Sequence, residues 1–225
     1  MERLMPWPEN PPDDAYINIG FIQKDWMSEF SDYVGNTPMT SPGVCMALTT
    51  QLFEYRKNSR SPPDFFKWVR SNDGAQAIMK IQTAYMMSAL GTTDPNAQVN
   101  MSFGSVLGAF RRSAEDDMYK SSGFESVDSP FFPSIFGGFG SLAKDVVQRH
   151  GTAGCLYKPI YMAKLGGGSH TIGAIVNFDR NNYAFFDSNH GYVAFQQLSS
   201  LESFVASVQD EYIEDFTAYF IDSKS

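Results

Sequence analysis

Hydrophobic positions recur every three to four residues through the first two thirds of the chain and every second residue near its end. In FIQKDWMSEFSDYV, Phe21, Trp26, Phe30 and Val34 fall at helical spacing and predict a short amphipathic helix over 21–34. A second helix is predicted over 42–57, opened by Ser41 as N-cap with Pro42 at the first helical position. Ser61-Pro-Pro-Asp64 opens a third that runs through Val69, and AQAIMKIQTAYMMSAL, 75–90, a fourth that stops at Gly91. Beyond the loop GTTDPNAQVN the pattern predicts helices over 102–115 and 141–150. Between these two lies KSSGFESVDSPFFPSIFGGFG, which mixes Ser, Gly and Pro with five phenylalanines. Disordered segments are poor in aromatics, so it reads as an ordered, Phe-anchored loop.

From Cys155 onward the period falls to two. CLYKPIYMAK, SHTIGAIVNF, YAFFDSN and YVAFQQ are β-branched and aromatic runs separated by GGG, DRNN and a His-Gly turn, the signature of an antiparallel meander. A helix over about 198–210, opened by Ser199 or Ser200 with Glu202 behind it, precedes a last strand in DFTAYFID. No internal repeat interrupts this order. Helices first and antiparallel sheet second define an α+β chain. Residues 1–16, Pro-rich and polar, read as a flexible N-terminal tail or strap. Residues 17–225 read as a single domain, with a helical half over about 17–150 and a sheet half over about 151–225.

Composition narrows the partners. The chain has 225 residues, of which 43% are hydrophobic and 15% aromatic, enough for a substantial core. Its formal charge is −8 and it has no basic run, which argues against nucleic acid. An acidic surface suits a basic protein segment, although it also serves plain solubility. Two cysteines make no disulfide framework and point to a reducing compartment. MERLMPWPENPPDDAY has no apolar run and carries four prolines, unlike a cleaved signal peptide. No apolar stretch approaches the ~18 residues of a membrane helix. The expected location is the cytoplasm of the producing cell, with any secretion using a route that needs no cleaved signal.

Candidate chemistry starts at Cys45. It falls in the first turn of its predicted helix, where free backbone N–H groups and the positive end of the dipole favour a thiolate. Gly43 leaves room for another backbone to approach, and the Cys45 N–H itself suits a developing oxyanion. The bland alternative is a small core hydrophobe. Cys155, in a strand run after Gly154, reads as structural.

A thiolate needs a base. His150 sits at the end of a helix, where a cation suits the dipole, and His190 occupies the turn SNHG. His170 begins a strand directly after Leu-Gly-Gly-Gly-Ser, at an open strand end that can reach a cleft. Asp187 ends the next strand, YAFFD. Faces repeat every two residues, so a turn of even length puts His170 and Asp187 on one face, and the wide DRNN turn sets them diagonally apart. Asn189 keeps the same parity and is the fallback orienter, whereas Asp179 is turn chemistry. Two cysteines and three scattered histidines offer no metal-ligand spacing.

PGVC, GGSHTIG and FFDSNHGYVAF, in that chain order, resemble the YopT-type cysteine proteases, a papain-clan family of bacterial effectors. The resemblance spans roughly residues 36–197. It implies a papain-like fold and a catalytic triad of Cys45, His170 and Asp187, with no cofactor. It also implies a side-chain oxyanion donor upstream of the cysteine, for which Asn36 is the candidate, with Thr40 and Ser41 nearer. Ser188 stands where the family usually has Pro, and Leu52-Phe53 lies where a tryptophan often follows the nucleophile. The implied substrate is a host protein, such as a lipid-modified Rho-type GTPase or a kinase, and a basic target segment would suit the acidic charge.

The expected reaction is acyl transfer. Cys45 attacks a peptide carbonyl, His170 moves the proton, Asp187 fixes the imidazole tautomer, and water resolves the thioester. Glutamine deamidases, transglutaminases and acyltransferases use the same triad and differ in acyl donor and acceptor. A papain-like binding module without turnover is the alternative of another class.

Overall fold

The computed structural model describes residues 14–31, 43–90, 93, 112–127, 131–134, 154–163, 169–215, 218–221 and 223–225. Its elements are β1 (Ala15–Gly20), α1 (Gln23–Glu29), α2 (Cys45–Lys57), α3 (Pro62–Val69), α4 (Asn72–Leu90) and α5 (Arg112–Ser121). They continue with β2 (Phe131–Ser134), β3 (Cys155–Ala163), β4 (Ser169–Asn177), β5 (Asn182–Asp187), β6 (Gly191–Phe195), α6 (Leu198–Asp215) and β7 (Ala218–Ile221).

The period-two runs form the middle of one antiparallel sheet of seven strands, in the order β1-β6-β5-β4-β3-β7-β2. Alternation along the strands splits the core in two. Tyr161, Ile175, Ala184, Phe186, Tyr192 and Ala194 face the helices that precede them in the chain. Their neighbours Ile160, Ile172, Ala174, Phe185, Val193 and Phe195 face α6 through Leu201, Phe204, Val205 and Val208. This is a helix–sheet–helix sandwich.

Two strands depart from the expected order. Ala15–Gly20 alternates between half-buried and exposed residues and pairs with β6, so the sheet's outer edge comes from the amino end of the chain. The tail expected over 1–16 thus ends in a strand; residues 1–13 lie outside the described part. Residues 131–134 of the expected Phe-rich loop form β2 on the opposite edge, pairing with β7, and Phe124 from that loop is buried. The predicted helix over 141–150, and all but the last residues of the one over 102–115, lie outside the described residues.

Local signals decide the helix ends. Ser61 caps α3, its hydroxyl accepting from the Asp64 N–H at 3.2 Å, with proline in the first turn as expected. The expected start of α2 is corrected: Val44, not Ser41, is the N-cap, and Cys45 is the first helical residue. Gly43 has φ +123°, a backbone that cannot continue a helix, so the Ser41-Pro42 signal immediately before it is overridden. In the same way α6 begins at Leu198, ahead of Ser199 and Ser200, and the Ser200 hydroxyl donates to Asp14 instead.

α2 is the central helix of the packed half. Its residues Cys45–Thr50, Leu52 and Phe53 are all buried. It lies directly on β4, where Gly173 leaves the space: a Cβ there would come 2.5 Å from Phe53 Cζ and 2.9 Å from Thr49 Cγ2. The Thr49 hydroxyl donates to the Thr171 carbonyl at 3.3 Å and fixes the helix's height along the strand. The start of α2 is thereby set opposite the start of β4.

Candidate active site

Cys45 and His170 are brought together by that contact. His170 has the parity of Ile172 and Ala174, the α6-facing residues of β4, while α2 packs on the other face. The hydrogen bond between Cys45 and His170 is therefore made across the open end of the strand. Cys45 is 8% exposed and His170 7% exposed, so the pair is nearly dry yet open to the outside.

Asp187 completes the row. β4 pairs with β5 with Ile172 opposite Asp187 and Asn177 opposite Asn182. The four intervening residues form an even turn, and His170 lies diagonal to Asp187 on the same face. Its ring Nε2 is 2.8 Å from Asp187 Oδ1. A carboxylate only accepts, so Nε2 carries the proton and Nδ1 is left for Cys45.

Both oxygens of the carboxylate take a further donor. The Asn189 backbone N–H donates to Asp187 Oδ1 at 2.7 Å, and the Tyr212 hydroxyl donates to Oδ2 at 2.7 Å. Tyr212, buried on α6, was not legible in advance, because its helical spacing reads as one more core residue. Asn189 acts through its backbone; its side-chain Nδ2 lies 3.5 Å from an imidazole nitrogen already committed to Asp187.

The electrostatics follow from burial opposed by pairing. Burial, the largest influence on Cys45, pushes the thiol up, but the hydrogen bond and charge of His170 and the Thr171 backbone hydrogen bond outweigh it. The thiol sits below its ordinary 9.0. Burial pushes His170 down, yet the charge and hydrogen bond of Asp187, together with those of Cys45, lift it from 6.5 to about 10. Burial pushes Asp187 up, and the His170 charge and hydrogen bond, with help from His190 and the Asn189 N–H, hold it below 3.8. All three directions favour a thiolate–imidazolium pair backed by an ionised carboxylate.

A second side chain missed by local reasoning stands at the start of α2. Gln23 on α1 is 9% exposed, and its Oε1 accepts from the Val44 N–H at 3.1 Å. Gln82 on α4 accepts from the Ala47 N–H at 3.2 Å. Neither partner could be found from spacing, since they lie 21 and 35 residues from the groups they bind.

The other candidates do not join this cluster. Cys155 lies opposite Asn177, at the far end of β4 from His170, and burial, its largest influence, raises its pKa. His190 occupies the turn after Asp187, and its carbonyl accepts from the Phe21 N–H at 3.1 Å. Asn36, Thr40, Ser41 and His150 lie outside the described residues. Among the described residues no three metal-ligating side chains stand close enough to hold an ion, and no helix is long and apolar enough to cross a membrane.

A paired thiol and imidazole on a helix–sheet junction, with a buried carboxylate behind the ring, is the chemistry of a cysteine hydrolase. Residues 25–217 match the model of peptidase family C58, described as the Yersinia/Haemophilus virulence surface antigen family. The chain belongs to that family and is a cysteine protease of a virulence-effector lineage acting on protein. No curated relative matches the chain.

Among solved structures it is similar to the Pseudomonas avirulence protein AvrPphB, at 14% identity over 81% of this chain and 91% of that one, with a TM-score of 0.59. It also matches the YopT domain of the Pasteurella multocida PfhB2 toxin, at 18% identity over 88% and 87% of the two chains, with a TM-score of 0.28. A third match is the cysteine protease-like domain of the Photorhabdus asymbiotica toxin PaTox, at 12% identity over 92% and 90%, with a TM-score of 0.24. Only the first superposition is close enough to speak to architecture, and it supports the α+β class expected from the residues and the papain-like fold implied by the resemblance.

Proposed function

We propose that Cys45, His170 and Asp187 are the nucleophile, the acid–base and the orienting carboxylate of this protease, and that it is a secreted effector whose substrate is a host protein. The observation that carries the triad is the Cys45–His170–Asp187 row, with Nε2 held 2.8 Å from the carboxylate, which leaves Nδ1 for the thiol. The Cys45 sulfur attacks the scissile carbonyl carbon, a C–S bond forms, and the carbonyl electron pair moves onto oxygen. Collapse of this adduct breaks the C–N bond, and His170 delivers its proton to the departing amine. Water, deprotonated by His170, then releases the acid and restores the thiolate. Asp187, held on both oxygens, keeps the ring in one tautomer throughout.

The net charge of −8 suits a substrate whose recognised segment is basic.

A Cys45→Ala variant captures its substrate from host lysate, and mass spectrometry of that protein after incubation with the wild type decides the chemistry. A new pair of termini is the expected result. A shift of about one dalton in an intact chain would make the enzyme a deamidase instead. His170→Ala reduces turnover by about 10²- to 10⁴-fold.

A further inference from the structure

We propose that the cavity between α1 and the end of α3 receives an arginine side chain of the substrate and sets specificity outside the triad; this rests on the reading that the recognised segment is basic. The cavity measures about 310 Å³ and is lined by Phe21, Ile22, Asp25, Trp26, Glu29 and Arg70. Its floor is aromatic. Phe21 and Trp26 are each 3% exposed, and their rings lie 6.4 Å apart at 43°.

Asp25 and Glu29 stand four residues apart on α1, so both carboxylates rise on one side of the helix over this floor. Among the described residues neither takes part in a hydrogen bond or an ion pair. Like charges at that spacing repel, and α1 has no basic residue in its last turn to offset them. A cation laid between the two removes the repulsion.

Arg70 forms the facing wall and is already committed. Its Nη2 donates to the Gly20 carbonyl at 3.2 Å, and its guanidinium lies 5.7 Å over the Phe21 ring. Its remaining N–H groups suit a main-chain carbonyl of the segment whose side chain enters the cavity. Arginine fits this cavity better than lysine. A planar guanidinium stacks on an aromatic floor and offers a fork of donors to two carboxylates, whereas an ammonium is a strongly hydrated point charge.

The cavity is fixed to the catalytic corner. The Phe21 N–H donates to the His190 carbonyl at 3.1 Å and the Gln23 N–H to the Ser188 carbonyl at 2.6 Å, in the turn that follows Asp187. Trp26 Nε1 donates to the Val69 carbonyl at 2.9 Å, which ties the floor to the helix that ends at Arg70. A side chain seated here holds its own backbone in a set relation to the Cys45 sulfur.

Host proteins cut at acidic residues give peptides that keep arginine inside their sequences. After incubation with the wild type, mass spectrometry of the new termini should show arginine enriched at one fixed offset from the cleaved bond. One such peptide is then made with citrulline at that offset, which keeps the shape and removes the charge. The exchange should raise KM about 10-fold for the wild type and less than about twofold for Asp25→Asn/Glu29→Gln, with kcat little changed in either. Asp117→Asn/Glu125→Gln makes the same change of charge at exposed positions outside the cavity and should behave as the wild type.

A citrulline effect that survives in Asp25→Asn/Glu29→Gln would overturn the proposal and leave the basic-segment reading standing. Enrichment of lysine without arginine would do the same. A cleavage profile with no basic preference would overturn both. A second measurement needs no turnover: N-acetylarginine methylamide should shift the Trp26 indole N–H resonance, and its citrulline counterpart should not. An indole unmoved by either compound overturns the pocket whatever is cleaved.

Discussion

Gly173 of β4 lies against Phe53 of α2 with no room for a side-chain carbon: a Cβ would sit 2.5 Å from Phe53 Cζ and 2.8 Å from Cε1. The distance between helix and strand is set here, two turns along α2 from Cys45 and three residues along β4 from His170. The thiol and the imidazole meet because this contact is made without a methyl group between them.

Gly173→Ala should therefore destabilise the fold by about 1–3 kcal/mol through overpacking and lift the start of α2 away from β4. The expected sign is a loss of Cys45 alkylation at pH 6 that exceeds what the fall in stability explains. Adding Phe53→Leu should recover part of both, since the two positions share one space. Chemical denaturation and iodoacetamide kinetics on the three variants check this.

The thiolate–imidazolium pair fixes the pH response. An ordinary thiol with a pKa of 9.0 is only about 0.1% ionised at pH 6. Cys45, held below that value by His170, should still alkylate at pH 6. His170→Ala leaves burial opposed only by the Thr171 backbone hydrogen bond and should move the reactive limb to higher pH. Turnover also needs the imidazolium proton, so it should decline on the alkaline side as His170 titrates near about 10. Stopped-flow alkylation and a pH–activity profile read these two limbs separately.

Tyr212→Phe removes the donor to Asp187 Oδ2 and leaves that oxygen buried without it. Loss of a hydrogen bond to a charged group should cost about 1.5–3 kcal/mol of stability at pH 7. A carboxyl depressed below 3.8 contributes stability that is present above its unfolded value and lost as pH falls through the folded one. The variant raises the folded value, so acid unfolding should begin at higher pH than in the wild type. Melting temperatures between pH 3 and pH 7 test the direction.

Asn189→Ala should leave activity within about threefold of the wild type. The backbone N–H of residue 189, not its side chain, donates to Asp187 at 2.7 Å. A loss of 10-fold or more in kcat would show that the side chain orients His170 after all.

The sheet half of the site could be read from alternation alone. Period two and an even turn were enough to put His170 and Asp187 on one face, and the register agrees. The helix start was misjudged by three residues, because Ser41-Pro42 is a local signal and the left-handed Gly43 that defeats it depends on what Gln23 brings from another helix. Gln23 and Tyr212 were illegible for the same reason: each acts on a residue at least 21 positions away. β1 was hidden by its neighbours, since the Pro-rich run before it masked the alternation of Tyr16, Ile17, Asn18 and Ile19. Pairing rules speak to what lies nearby in the chain; contacts between distant segments are set by the packed whole.

The amino-terminal strand does more than finish an edge. Immediately beyond it, Phe21 and Gln23 hook their N–H groups onto the carbonyls of His190 and Ser188, so the corner bearing Asp187 is stitched to the opening stretch of the protein. An abbreviated version lacking its first two dozen residues would keep the sulfur, the ring and the carboxylate, yet lose the seam that keeps them aligned. The smallest working enzyme is thus longer than the segment that carries its reactive groups.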